Sequence, residues 1–505
     1  MIQGVPLPLV YLGAAVVLLV SFAGLALVGP RLATSSASYR TVDILRDPLV
    51  ETALKWRAVR SASQLFVVAL FLLVIAAGLF GQQQGGSNIA TVLTWTYWWV
   101  LLVLFVIFFG KAWCYVCPWD AIALWLERHP VVRTRGARVS MGLRWPKALR
   151  NLYPAATLFL GLTWLELGYG VTTRPELTAY LGLVMFFLSF AAILIFERRS
   201  FCRYGCLVGR IAGLYSLFAS TEIRARDTGV CAKHCRTFDC YHGNEHGEAC
   251  PTFQFLGGMT KNTYCIYCME CLRTCPHDNV AVNVRWFGRD LMKPSPVRFD
   301  EAAMVIVMLA MSTFHGITMT PSWLGIVSGL QSVLSVGYLV AFSLGMAGFL
   351  SALTALYVGF IWLSHAAART PTVGMRQLAI RYAYAFLPIA LFYHLAHNVL
   401  HFSIEGGALV PLLSDPFGWG WNLFGTASVY PTALLPIWAV WLLTVGFILT
   451  GHVWSLVAGH RIALQTYPTA GLALRSQLPI VAGMVAYSIL SLWIVAQPMQ
   501  MRTGL

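Results

Sequence analysis

A chain of 505 residues that is 58% hydrophobic and only 11% charged has too little polar surface to cover a water-soluble globule, so the bilayer is its main solvent. The formal net charge of +15 would suit a nucleic-acid binder, but placed along the chain the charges describe membrane topology. No nucleic-acid partner is expected; lipid is.

A helix crosses roughly 30 Å of hydrocarbon with about 20 apolar residues, and the chain offers about ten such runs. They lie at Leu7–Val28, Ala62–Phe80, Ala90–Gly110, Tyr153–Gly170, Leu177–Phe196, Ala302–Thr320, Val336–Leu363, Tyr382–Ile404, Ala433–Leu449 and Leu478–Gln497. Ser322–Ser335 reads as an interfacial helix or part of a span. The first run lacks a basic leader and a clear small-residue cleavage site, so it is expected to be retained as a helix rather than removed as a signal peptide. Trp95, Tyr97, Trp98 and Trp99, at the outer start of the third run, suit interfacial anchoring.

Basic residues alternate with the runs. Arg31, Arg40, Arg46, Lys55, Arg57 and Arg60 lie between the first two; Arg128 to Arg150 form a second group and Arg198 to Arg289 a third; Arg369, Arg376, Arg381, Arg461 and Arg475 flank the later runs. The intervening loops, 81–89, 171–176 and 405–430, hold only Arg174. The positive-inside rule then places both termini in the periplasm of a bacterial inner membrane and the basic loops in the cytoplasm.

All twelve cysteines precede Pro276 and fall on the side assigned to the cytoplasm, where structural disulfides are disfavoured, so metal ligation or redox chemistry is the expectation. Cys114 with Cys117-Pro118 closes the third run, and Cys202 with Cys206 follows the fifth. Each pair spans about one helical turn, so both sulfurs can face one partner at the membrane surface. A further metal, a disulfide cycle and plain packing all remain open for these four.

The insert near 198–298 is polar and glycine-containing, with little core of its own, and needs a second source of stability such as metal ligation. Cys265, Cys268, Cys271 and Cys275-Pro276 form the C-x2-C-x2-C-x3-C-P run of bacterial ferredoxins. Cys231, Cys235, Cys240 and Cys250-Pro251 form a looser version. Exchange of the fourth ligand between two clusters assigns Cys265, Cys268, Cys271 and Cys250 to one [4Fe–4S] cluster, and Cys231, Cys235, Cys240 and Cys275 to the other. Two zinc sites are the alternative. His234, His242 and His246 lie among these cysteines as secondary ligand candidates.

The segments Trp113-Cys-Tyr-Val-Cys-Pro118, Arg199-Ser-Phe-Cys-Arg-Tyr-Gly-Cys206 and the run ending at Pro276 resemble the membrane polyferredoxins that accompany periplasmic nitrate and nitrous-oxide reduction, the NapH-like and NosR-like proteins, over roughly residues 60–285. The resemblance implies electron transfer between the quinone pool and a redox partner protein, through clusters on the cytoplasmic side. Leu207 stands where that family usually has proline, the first cluster motif is stretched, and the C-terminal helices lie outside the resemblance.

In those helices, histidines inside the membrane are costly and so are functional candidates. His394, His397 and His401 share one helix face; with His315 they occupy the middle and outer depths, while His365 and His452 lie deeper towards the cytoplasm and His460 nearer still. Bis-histidine haem b, a quinone pocket or proton path, a copper or iron site, and packing are the competing readings. Glu166 in the fourth run is a proton-handling candidate or an interfacial residue.

The expected fold is an all-α polytopic membrane protein of three parts. Residues 1–197 form a five-helix domain with the cysteine pairs, 198–298 a small ferredoxin-like 2×[4Fe–4S] insert on the cytoplasmic face, and 299–505 a five-helix domain with the histidines. No P-loop, dinucleotide fingerprint or haem-attaching C-x-x-C-H run is present. The expected function is electron transfer between the quinone pool or a cytoplasmic donor and a respiratory partner, with or without quinol dehydrogenase activity. The alternative is a factor that reduces copper or iron for assembly of a respiratory enzyme. A transporter with a redox-sensing insert is a third reading, although the two halves share no interrupted-helix pattern.

Overall fold

The computed structural model describes residues 3–27, 40–128, 140–293, 296–368 and 373–500. Val28, Arg31, Arg369 and the 129–139 part of the second basic group lie outside the described residues. The chain is mostly helical with little sheet. Among the described residues, nine helices are long and apolar enough to cross a membrane: Leu7–Gly24, Arg57–Phe80, Ile89–Glu127, Pro175–Ile195, Phe299–Thr318, Tyr338–Ala368, Met375–Ser414, Ile437–Thr466 and Ala470–Ala496. A multi-pass membrane protein follows.

The remaining expected run forms the helix Tyr153–Tyr169, whose 17 residues sit at the lower limit for a span. Gly170, in the left-handed region at φ 68°, stops it. Ser322–Ser335 becomes the separate helix Pro321–Leu334, started by proline in its first turn.

The helices do not divide cleanly at residue 198. The first helix packs on the last two: the Val5 amide donates to the Val495 carbonyl at 2.9 Å, and Ser21 Oγ meets His452 Nε2 at 2.8 Å. Two loops distant in sequence are also joined, with the Gln82 and Ile89 amides donating to the Phe417 and Pro416 carbonyls.

The polar insert contains a three-stranded antiparallel sheet. Strand β1 (Val42–Asp43) comes from the loop after the first helix, β2 (Thr221–Ala225) opens the insert, and a short hairpin follows of β3 (Gly243–Asn244) and β4 (Gly247–Glu248). Central β5 (Val280–Val284) pairs Thr221 to Ala225 with Val284 to Val280, and pairs Val42 with Val284. Ile223, Val280 and Val282 point from this sheet into a small core with Leu45, Leu256, Tyr267, Met269 and Leu272.

Between the fifth span and β2, the helix Leu207–Tyr215 is buried at every residue and belongs to the core of the membrane bundle. This helix therefore lies in the bundle although it falls within residues 198–298. Nine residues are too few to register as a span, and a short helix at membrane depth is tolerated when protein surrounds it.

Candidate functional site: three cysteine groups and a membrane cavity

The insert cysteines fall into two groups of four. Cys265, Cys268 and Cys271 interact electrostatically with one another and with Cys250. Cys231, Cys235 and Cys240 do so with Cys275. The fourth member of each group thus comes from the other motif. Left-handed backbone at Tyr267 (φ 55°) and Met269 (φ 60°) winds the 265–271 segment. The Tyr267 amide then donates to the Cys265 sulfur, and the Glu270 amide to that of Cys268. Asn279 Nδ2 donates to Cys231 Sγ at 3.3 Å, and the Gln254 amide to Cys250 Sγ at 3.2 Å. Non-glycine residues in this region cost about 1 kcal/mol or more each, a strain that collects at functional sites.

Burial pushes the Cys265 thiol up to about 12, and those of Cys268 and Cys240 to about 11. Such groups stay protonated at neutral pH unless a metal displaces the proton. Each group has the donor number and type of a four-iron cluster. Among the described residues, no three His, Cys, Asp or Glu side chains are gathered tightly enough to hold a single metal ion. A four-iron cluster does not need that gathering, because each thiolate binds a different iron. His234, His242 and His246 are all exposed, and His246 meets Glu245 at 3.5 Å.

Cys114, Cys117, Cys202 and Cys206 form a third group within electrostatic reach of one another. The Cys114 turn, Trp113–Val116, follows the helix Trp99–Phe109 through a tight turn at Gly110–Ala112. Gly110 has φ 56°, and a β-carbon there would stand 2.9 Å from Tyr267 Oη, so this turn touches the insert directly. Gln64 Nε2, from the second span, holds the Tyr115 carbonyl at 3.1 Å.

The two pairs are built alike. Cys117 immediately precedes the helix Pro118–Arg128, and Cys206 caps Leu207–Tyr215 with its sulfur accepting from the Gly209 amide at 3.4 Å. Leu207 therefore occupies the first helical position, as Pro118 does in its pair. The amide at that position has no intrahelical acceptor, so leucine serves there as well as proline.

Charges that sequence reasoning missed surround this group. Lys111 and Arg210 are fully buried, and Arg199 pairs with Asp120 at 3.0 Å with both side chains buried. Lys111 Nζ donates to the Cys202 carbonyl at 3.4 Å. Arg210 Nη2 donates to the Thr263 carbonyl at 2.6 Å, while its Nε and Nη1 have no hydrogen-bond partner. Lys111, three residues before Cys114, and Asp120, three after Cys117, were legible as charges beside a cysteine pair.

Against this group lies a cavity of about 630 Å³. Val116, Pro118, Leu207, Val208 and Ile211 wall it on the cysteine side, and Trp95, Trp98 and Trp99 line it further along. The three tryptophans expected as interfacial anchors are thus largely turned inward. Glu166, His315, His394, His397 and Asn398 form its polar part. His315 Nε2 lies 3.2 Å from Glu166 Oε2, and its Nδ1 lies 2.9 Å from the Met311 carbonyl. A carbonyl only accepts, so Nδ1 carries a proton and Nε2 and the carboxylate share one. Tyr215, on the short helix after Cys206, meets His394 Nδ1 at 3.3 Å.

The other histidines have separate surroundings. His397 and His401 are edge-to-face at 5.1 Å, and His401 Nδ1 meets Glu405 at 3.2 Å. His452 contacts Ser21 and Ser488 through its two ring nitrogens, and His460 meets Gln477 at 2.9 Å. His365, half-buried on Tyr338–Ala368, does not line the cavity. Compared with known proteins, the chain matches no family model, no curated protein and no solved structure.

Proposed function

We propose that this chain is a membrane electron-transfer protein that exchanges electrons between a quinone in the bilayer and two [4Fe–4S] clusters on a ferredoxin-type insert, from which a redox partner protein is served. On this reading the membrane is the bacterial inner membrane, the insert faces the cytoplasm and both termini are periplasmic. The observation that carries the proposal is the cavity. It is apolar along its length, polar at Glu166, His315, His394, His397 and Asn398, and bounded elsewhere by the residues flanking the paired cysteines. That is the form of a quinone site, in which a hydrophobic slot binds ring and tail and a few polar groups orient the oxygens.

Cys250, Cys265, Cys268 and Cys271 would hold one cluster, and Cys231, Cys235, Cys240 and Cys275 the other. Iron–sulfur clusters so held supply one-electron redox chemistry that no side chain here provides. The chain's own task is the protons. Oxidation of a quinol releases two electrons and two protons, and reduction of a quinone takes up the same. Glu166 and His315 hold a proton at a defined place beside the cavity, and His394 with Tyr215 offers a second hydrogen-bonded pair.

Haem ligation by the same histidines is less well supported. Both ring nitrogens of His315 and of His452 already have polar partners on the protein.

The test is stopped-flow oxidation of the dithionite-reduced protein by a soluble quinone analogue, followed by electron paramagnetic resonance. Glu166→Gln should slow the quinone-linked rate on the order of a hundredfold while leaving the reduced cluster signals intact. Clusters that reduce but never exchange electrons with quinone would favour the assembly-factor reading. A haem Soret band in the purified protein would reinstate haem.

A further inference from the structure

The paired cysteines do not belong to either insert group, and their surroundings ask for negative charge. Of three buried cations here, Arg199 pairs with Asp120 at 3.0 Å, Lys111 reaches a backbone carbonyl, and Arg210 feels Glu301, a buried carboxylate that Lys261 already holds. Among the described residues, Lys111 and Arg210 thus have no carboxylate of their own in a place that water does not reach, which is costly unless an anion meets them. Arg210 Nε and Nη1, both buried, lack hydrogen-bond partners, and this guanidinium, 4.5 Å over the Tyr264 ring, interacts electrostatically with Cys114 and Cys206. The helices Pro118–Arg128 and Leu207–Tyr215 begin at Cys117 and Cys206, so two positive helix ends meet the same four sulfurs.

Four neutral thiols or two disulfides would leave that charge unanswered. An oxidised four-iron core with four thiolates is a dianion and would answer it. So would zinc with four thiolates, which metal analysis separates from iron.

We propose that Cys114, Cys117, Cys202 and Cys206 hold a third iron–sulfur cluster, charge-balanced by Lys111 and Arg210, at the wall of the membrane cavity. The ligand assignment stands apart from quinone chemistry. The cluster's role as the first electron carrier met from the cavity rests on the function proposed above.

The test uses the full chain, purified anaerobically, with iron and zinc analysis and redox-titrated electron paramagnetic resonance. Cys114→Ser combined with Cys202→Ser should lower iron by about four atoms per chain while the signals of the insert persist. The difference between wild type and variant reports these four cysteines alone, so the result is readable whether or not quinone reacts. Lys111→Met keeps every cysteine, and should move the midpoint potential of one signal furthest to more negative values, with a smaller move for the cluster that Cys265 would hold, because Lys111 also acts on that sulfur. A positive charge favours the more negative reduced state, so its loss disfavours reduction. Unchanged iron in the double variant, loss of zinc in place of iron, or a Lys111→Met protein with every potential unmoved would each overturn the proposal.

Discussion

At the scale of single residues, the insert is tied to the bundle by Arg285. Its guanidinium is fully buried; Nη1 reaches Glu222 at 2.8 Å and Asp290 at 2.5 Å, while Nε and Nη2 donate to the Ala219 and Ser216 carbonyls. The partners sit on β2, on the turn after β5 and at the end of the buried helix. One side chain therefore locks the sheet to the membrane core. Removing one member of a buried ion cluster strands the others, at a cost of about 3 to 5 kcal/mol. Arg285→Met should therefore give a protein that still inserts but whose insert is cut by protease in membrane vesicles under conditions where the wild type resists. Equal resistance in the two proteins would show that other contacts carry the docking. Arg224 and Arg289 join the same carboxylates, which is why Arg285, Glu222 and Asp290 can stay buried here.

At the scale of elements, the loop after the first helix is a strap across the insert. Asp43 Oδ1 accepts from the Leu45 and Val282 amides, and its Oδ2 from Arg226 at 2.9 Å. The helix Pro48–Lys55, capped by Asp47, ends where Arg273 holds the Lys55 and Leu54 carbonyls. Leu45 and Leu54 complete a core that also touches Cys265, Cys271 and Cys275. Loss of a side-chain cap costs about 1 kcal/mol, and a half-exposed ion pair adds less than that. Asp43→Ala should thus leave folding intact but loosen the strap. The measurement is the rate at which the reduced insert signals decay in air: faster decay is expected, and an unchanged rate would mean that the strap does not shield the cysteines. This strap was assigned by sequence to the N-terminal membrane part, because two residues of strand and eight of helix carry no periodicity strong enough to declare a partner.

At the scale of the whole molecule, the charge map implies a fixed orientation. Gln84 lies exposed in the joined outer loops, and Glu245 lies exposed on the insert. With the wild type as baseline, Gln84→Cys should react with a membrane-impermeant maleimide added to intact spheroplasts, and Glu245→Cys should react only after the membrane is opened. The reverse pattern would invert the topology and place the cysteine groups outside. Orientation matters to the proposed chemistry because it decides which aqueous side the cysteine groups face.

The membrane class and the positions of most spans were legible in the sequence, for a physical reason. Hydropathy over about 20 residues is a local property, and the bilayer imposes it directly. What only the tertiary structure decided is which distant groups meet. Glu166 reaches His315 across 149 positions, Ser21 reaches His452 across 431, and Leu207–Tyr215 is swallowed by the bundle although its flanks read as polar insert. The buried cations around the paired cysteines belong to the same class. Lys111 and Arg210 are removed from water only by the fold, and the cost of a buried charge is a property of the surroundings rather than of the residue.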